Sequence, residues 1–225
     1  MQVVDTYSFK GGEKFIKVKH PKELREVLGA IESLDATVCL VKESQEKTMK
    51  GKLLFSPSTM NKLLKTTMHA KGWTEKAVGK KKAFTEPRHA FGNNRFREMD
   101  GIKNNVGLEI QFGKYAFMGY DIFSKMVIFN KVGLIECGIE VVPGHKLARQ
   151  MSTGVSDFEQ LLVDFEFRGE SNIDIPVFVI SLGLTPEEEI KCSKLRKLFE
   201  TDREAALKIL KLTTYNGSPP GPKQF

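Results

Sequence analysis

Arg95-Phe-Arg-Glu-Met-Asp100-Gly-Ile-Lys-Asn-Asn-Val-Gly-Leu-Glu109-Ile-Gln111-Phe-Gly-Lys114 is the stretch on which the reading of this chain turns. Lys103-Asn104-Asn105 is turn chemistry between two runs of strand type, so the segment is expected to be a β-hairpin. A loop of about four residues then places Asp100 opposite Glu109. Opposed residues on a hairpin have Cβ atoms about 4.5–5.5 Å apart, so two carboxylates there repel unless a cation lies between them. Strand side chains alternate, so Gln111 projects to the face of Glu109 while Ile110 turns into the core. Oxygen ligands with no His or Cys beside them favour Mg²⁺ over zinc. An ion so placed can bind a phosphate oxygen and acidify a bound water, which makes phosphodiester hydrolysis the natural reaction. The competing reading of the same residues is an exposed hairpin edge carrying an ordinary Asp and Glu.

Outward from the hairpin, the pattern alternates between strand and helix. Val106 to Phe112 reads as a strand, and Ala116 to Asn130 carries apolar residues at helical spacing. Leu134 to Val142 and Pro176 to Leu182 are apolar runs of buried-strand length, separated by a helix expected from about Ser156 to Phe167. That order predicts an α/β core built on a mixed sheet. Upstream, His20-Pro21 opens a helix expected to reach about Leu34, with Leu24, Val27, Leu28 and Ile31 on one face. Ser56-Pro57 opens another to about residue 70, and Gly72 stops it. Pro186 to Leu212 reads as one or two further helices, with Thr185 as a possible cap. We expect a single domain over 1–215, with 184–215 a helical extension and 216–225, rich in Pro and Gly, a disordered tail.

Composition narrows the classes. With 225 residues, 40% hydrophobic and 28% charged, the chain has the make-up of a globular protein. Its start has no basic and then apolar leader, and no stretch is apolar enough to span a bilayer, so the expectation is a cytoplasmic protein with no membrane partner. Cys39, Cys137 and Cys192 are unrelated in spacing and read as reduced, buried thiols. The four histidines have no metal-ligand spacing. The net charge of +7 is concentrated: between Lys62 and Arg97 ten Lys or Arg, including Lys80, Lys81 and Lys82, face only Glu75 and Glu86. Such a run is either a solvated face or a phosphate-contacting one.

Asp100-x8-Glu109-x-Gln111 followed by Phe112-Gly-Lys-Tyr-Ala-Phe117 resembles type II restriction endonucleases of the BglII/BstYI group, the BstYI type being the nearer. Lys42 to Thr48, Gly51 to Pro57, Ala70 to Glu75, Gly138 to Pro143 and Met151 to Ser156 are similar to it in the same order, so the likeness covers most of residues 1–183. The resemblance implies a PD-(D/E)XK restriction-endonuclease-like core, with a mixed central β-sheet flanked by helices. It also implies a homodimer around double-stranded DNA, and Mg²⁺-dependent cleavage of a palindrome centred on GATC, of the RGATCY or AGATCT type. By that analogy Asp100, Glu109 and the carbonyl of Ile110 hold the metal. Gln111 stands where most of the wider superfamily has lysine; it cannot act as a base, so the metal and a neighbouring phosphate would have to activate the water. Met99 stands where proline is usual.

Lys114 matches a position of the BstYI type that faces the major groove, where lysine can donate to guanine; a phosphate contact is the alternative. Ser152, Thr153 and Ser156 match a second recognition loop, with a helix N-cap at Ser156 as the plainer reading. The helix from Ala116 to Asn130 is either part of a two-fold interface or a core helix of the monomer. Two other functions fit the same residues: a structure-directed or repair nuclease on this core, and a DNA-binding module without catalysis, which the missing lysine at Gln111 would allow.

Overall fold

The computed structural model describes residues 1–74 and 86–217, the side chains of Tyr115 and 211–217 excepted. In chain order the elements are β1 (Gln2–Phe9), α1 (Gly12–Lys19), α2 (Pro21–Ser33), a 3-10 turn (Ala36–Cys39), β2 (Lys42–Glu43), β3 (Leu53–Leu54) and α3 (Pro57–Ala70). Then follow β4 (Arg88–Ala90), β5 (Phe96–Glu98), β6 (Gly101–Lys103) and β7 (Val106–Ile110). One continuous helix comes next, made of α4 (Tyr115–Tyr120), a π-turn (Asp121–Lys125) and α5 (Met126–Lys131). After it come β8 (Cys137–Pro143), α6 (His145–Ala148), α7 (Phe158–Arg168), β9 (Val177–Gly183), α8 (Pro186–Thr201) and α9 (Arg203–Gly217).

The main sheet runs β1-β9-β8-β7-β6. Its three central strands, β7, β8 and β9, are parallel, and antiparallel β6 and β1 close the two edges. The parallel strands are buried along their whole length and mostly apolar because helices cover both faces. Alternation divides the core. Leu108, Ile110, Ile139, Val141, Phe178 and Ile180 face a larger cluster that α2, α3, α8 and α9 complete. Val177 and Val179 face a smaller cluster with Met118, Met126, Phe158 and Phe165. Glu109 and Glu140, Cα partners on neighbouring strands, alternate out of the larger cluster toward this second side.

Local chemistry sets the boundaries. In the β6–β7 hairpin Lys103 pairs with Val106 and Gly101 with Leu108. Asn104 and Asn105 both have positive φ, at 47° and 63°, the two-residue turn whose twist matches that of paired strands. Asp100 and Glu109 thus stand at the next step of the expected register, with a loop tighter than expected. Helix α3 starts where Ser56 accepts from the Thr59 amide and stops at Gly72, whose φ is 86°. Thr185 and Glu188 cap α8 reciprocally. The cap of α7 is Asp157, not Ser156: the Asp157 carboxylate accepts from the Gln160 amide while Gln160 reaches back to the Asp157 amide. Edge strand β1, which the sequence pattern did not single out, pairs along its length with β9. Among the described residues no helix is long and apolar enough to cross a membrane.

Candidate active site

Two helices aim charged side chains at the open end of the β6–β7 hairpin. From α3, Lys65 and His69 lie one turn apart. The Lys65 ammonium is 2.6 Å from Asp100 Oδ1 and 2.8 Å from Glu86 Oε1. His69 Nε2 donates to the Asp100 carbonyl at 2.9 Å. Asp100 Oδ2 in turn accepts from the Ile110 amide at 2.9 Å, which pins the aspartate across the hairpin. The side chain of Ile110 is buried in the larger cluster.

The second helix works from the opposite side. Its π-turn presents Asp121 and Lys125, and the Lys125 ammonium lies 2.6 Å from Asp121 Oδ1 and 2.8 Å from Glu109 Oε1. Gln111 joins this group: its Nε2 donates to Asp121 Oδ2 at 3.1 Å, and its Oε1 accepts from the Gly113 amide at 2.9 Å. The fold of that side chain over the backbone leaves no room for a β-carbon at Gly113, which would lie 2.5 Å from Gln111 Oε1. The structure therefore brings Asp100, Glu109 and Gln111 to one place.

The electrostatics of the group are those of crowded, dry acids. Burial first, then the charges of Asp100 and Asp121, raise the Glu109 carboxyl well above the usual carboxylate range, against the pull of Lys125. Burial likewise raises Asp121, which Lys125 and Gln111 partly offset. Glu140 is 0% exposed, and neither of its carboxyl oxygens has a hydrogen-bond partner. Burial, then Asp121 and Glu109, push it well up, so the neutral acid is the favoured form. Burial works against the charge on Lys125, but Glu109 and Asp121 outweigh it and hold the ammonium above the ordinary lysine range. Lys65 is held up in the same way by Asp100 and Glu86.

Among the described residues, no three His, Cys, Asp or Glu form a group that could hold a metal ion by themselves. Mg²⁺ is commonly held by one or two carboxylates, with waters and substrate phosphate completing its octahedron rather than an all-protein cage. The hard carboxylate oxygens of Asp100 and Glu109, the charge of the first raising the carboxyl of the second, fit a divalent ion held in this way.

The remaining sequence-derived residues lie beside this centre or outside it. Lys114 is exposed and makes an isolated antiparallel bridge to Val155, which sets it against the 152–156 loop. Ser152 Oγ bonds the Lys42 ammonium, and the Thr153 amide donates to Glu46 Oε2 at 2.7 Å. Ser156 is 1% exposed and donates its hydroxyl to Gln160 Oε1 at 2.9 Å. Lys80, Lys81 and Lys82 lie outside the described residues. The three cysteines are buried; burial raises the thiols of Cys39 and Cys137 to about 12 and that of Cys192 to about 11, as inert core thiols require. The sequence reading missed Lys65, His69, Asp121, Lys125 and Glu140. The only signal available was the spacing of four between Lys65 and His69 and between Asp121 and Lys125, common on any helix.

Residues 4–182 match the family model described as restriction endonuclease BglII/BglIII. The chain is also similar to the crystal structure of restriction endonuclease BglII complexed with a DNA 16-mer, with a TM-score of 0.63 and 18% identity over 82% of this chain and 79% of that one. Against free BglII the TM-score is 0.57 at the same identity, over 82% of this chain and 81% of that one. No curated protein sequence matches the chain.

Proposed function

Because the chain belongs to the BglII/BglIII family of restriction endonucleases, and so is a type II restriction endonuclease with a divalent metal cofactor, we propose that it cuts duplex DNA at a palindrome centred on GATC with Mg²⁺ held by Asp100 and Glu109. The observation that carries this reading is the Asp100 carboxylate locked onto the Ile110 amide, directly across the hairpin from buried Glu109. In this assignment the Ile110 carbonyl is the third protein ligand. A bound Mg²⁺ supplies positive charge at the scissile phosphate and lowers the pKa of a water.

The chain's own residues do the rest. Lys65 and His69 hold Asp100 through its carboxylate and its carbonyl. The Gln111 amide cannot take up a proton at neutral pH, and its two hydrogen bonds make it a brace between the strand end and Asp121. Burial of Glu109 keeps bulk water away from its carboxyl.

For sequence recognition we assign Lys114 to a guanine edge and the 152–156 loop to neighbouring bases or phosphates, as in the BstYI type. The Lys114–Val155 bridge supports the pairing of these segments. Of the three hydroxyl residues in the loop, Ser152 and Thr153 are the accessible ones. The buried Ser156 acts by shaping the loop. A homodimer follows from the two-fold symmetry of the proposed site. Lys80, Lys81 and Lys82 are assigned to phosphates.

The test is run-off sequencing of plasmid digested with the protein and Mg²⁺. The expected result is ends at one palindrome containing GATC. Ends scattered over unrelated sequences, or ends only at junctions and flaps, would reject the specificity.

A further inference from the structure

The centre gathers Asp100, Glu109, Asp121 and Glu140 around two ammonium groups, and the two are not equivalent. Lys65 divides itself between Asp100 and Glu86, near the outside. Lys125, with a side chain only 14% exposed, lies between Glu109 and Asp121. It arrives there through a π-turn, a break in regular helix geometry that is rare and concentrates at functional sites. The amide of Gln111, one strand step past Ile110, is bound to the same Asp121, so it occupies the same small space without bringing a charge. An anionic phosphate approaching this crowd of carboxylates is drawn in only by the cations among them, and Lys125 is the one fixed between Glu109 and Asp121.

We propose that Lys125 is a catalytic cation of the centre, acting beside the metal on the side of Glu109: delivered by the helix rather than by the strand, it sets the charge beside Glu109 and offsets the negative charge that builds on the phosphate during cleavage. The inference rests on the assignment of Asp100 and Glu109 made above. Preorganised charge of this kind is worth a large factor in rate because it acts in a dry site and needs no rearrangement.

Three variants decide it: Lys125→Met, the double variant Lys125→Met/Gln111→Lys, and Asp100→Asn. Lys125→Met is expected to cut duplex DNA at least about a hundredfold more slowly while still binding it in Ca²⁺. Moving the lysine onto the strand at position 111 is expected to restore about tenfold or more of that loss, which a purely structural role for Lys125 does not predict. A second readout needs no turnover: in DNA-free protein the side-chain ammonium resonance of Lys125, identified by its absence from Lys125→Met, should shift when Mg²⁺ is added. Wild-type cutting by Lys125→Met overturns the proposal, as does a loss that tracks a lower unfolding midpoint and is not recovered by Gln111→Lys. A resonance that ignores Mg²⁺ also counts against it. Asp100→Asn tells the two failures apart: if it cuts normally, the site assignment falls; if it is inactive while Lys125→Met cuts normally, only the role of Lys125 falls.

Discussion

A carboxyl group with no hydrogen-bond partner between two parallel strands, as at Glu140, is costly to bury neutral and far more costly to bury ionised. Its folded-state pKa is raised, so whatever it contributes to stability is fully present below the ordinary carboxylate range and is lost as pH rises toward the folded value. Glu109 and Asp121 add to the same trend, and the raised ammonium of Lys125 continues it in a more alkaline range. Glu140→Gln, which keeps the shape and removes the titration, is therefore expected to raise the unfolding midpoint of the metal-free protein more at about pH 8 than at about pH 5. Each kcal/mol gained corresponds to about 2–4 °C for a chain of this size. Scanning calorimetry at the two pH values checks this; a gap independent of pH contradicts it. Glu140 was not legible beforehand because it sits inside an apolar run that reads only as a buried strand. Its meaning comes from the register that sets it beside Glu109. Asp100, Glu109 and Gln111 could be read because a single local turn, Asn104-Asn105, brings them together.

Among the elements, α7 and the helix formed by α4 and α5 show which surfaces lack a partner. Val163 and Phe167 stand one turn apart on α7 and are 51% and 82% exposed; Phe117 on α4 is 52% exposed. These two helices pack on each other, and Gly119 approaches Asp164. The sequence left two readings of Ala116 to Asn130, interface or core, and the helix has both faces: Met118, Ile122, Met126 and Phe129 are buried while Phe117 is not. Exposed aromatics on neighbouring helices are the kind of surface that a symmetric dimer covers. Phe167→Asp places a charge there, and we expect it to shift sedimentation toward the monomer and to lower cleavage of a palindromic duplex with it. Unchanged sedimentation, with a dimer seen in the wild type, would move the interface elsewhere. The π-turn within the same helix could not be foreseen, because its residues Asp121 to Lys125 carry no Gly or Pro and read as ordinary helix.

Across the whole molecule, the fold was legible in outline because the strand–helix–strand order leaves few ways to pack. The parallel strands β7, β8 and β9 and the crossovers between them follow the apolar runs closely. What pattern could not supply was the edge: β1 joins through contacts far along the chain with β9, and α8 and α9 close the larger cluster through Cys192, Phe199, Ala206 and Leu210. The family match covers residues 4–182, and the last two helices follow it in the chain. All of these layers converge on one claim, that the hairpin end formed by Asp100, Glu109 and the Ile110 carbonyl binds the divalent ion that cuts DNA. The most direct measurement is a crystal of the protein with a GATC-containing duplex and Mn²⁺, examined by anomalous diffraction. The account predicts a peak between the Asp100 and Glu109 carboxylates, adjacent to a phosphate, and its loss in Asp100→Asn. A peak elsewhere, with Asp100 and Glu109 free of the ion, would contradict it.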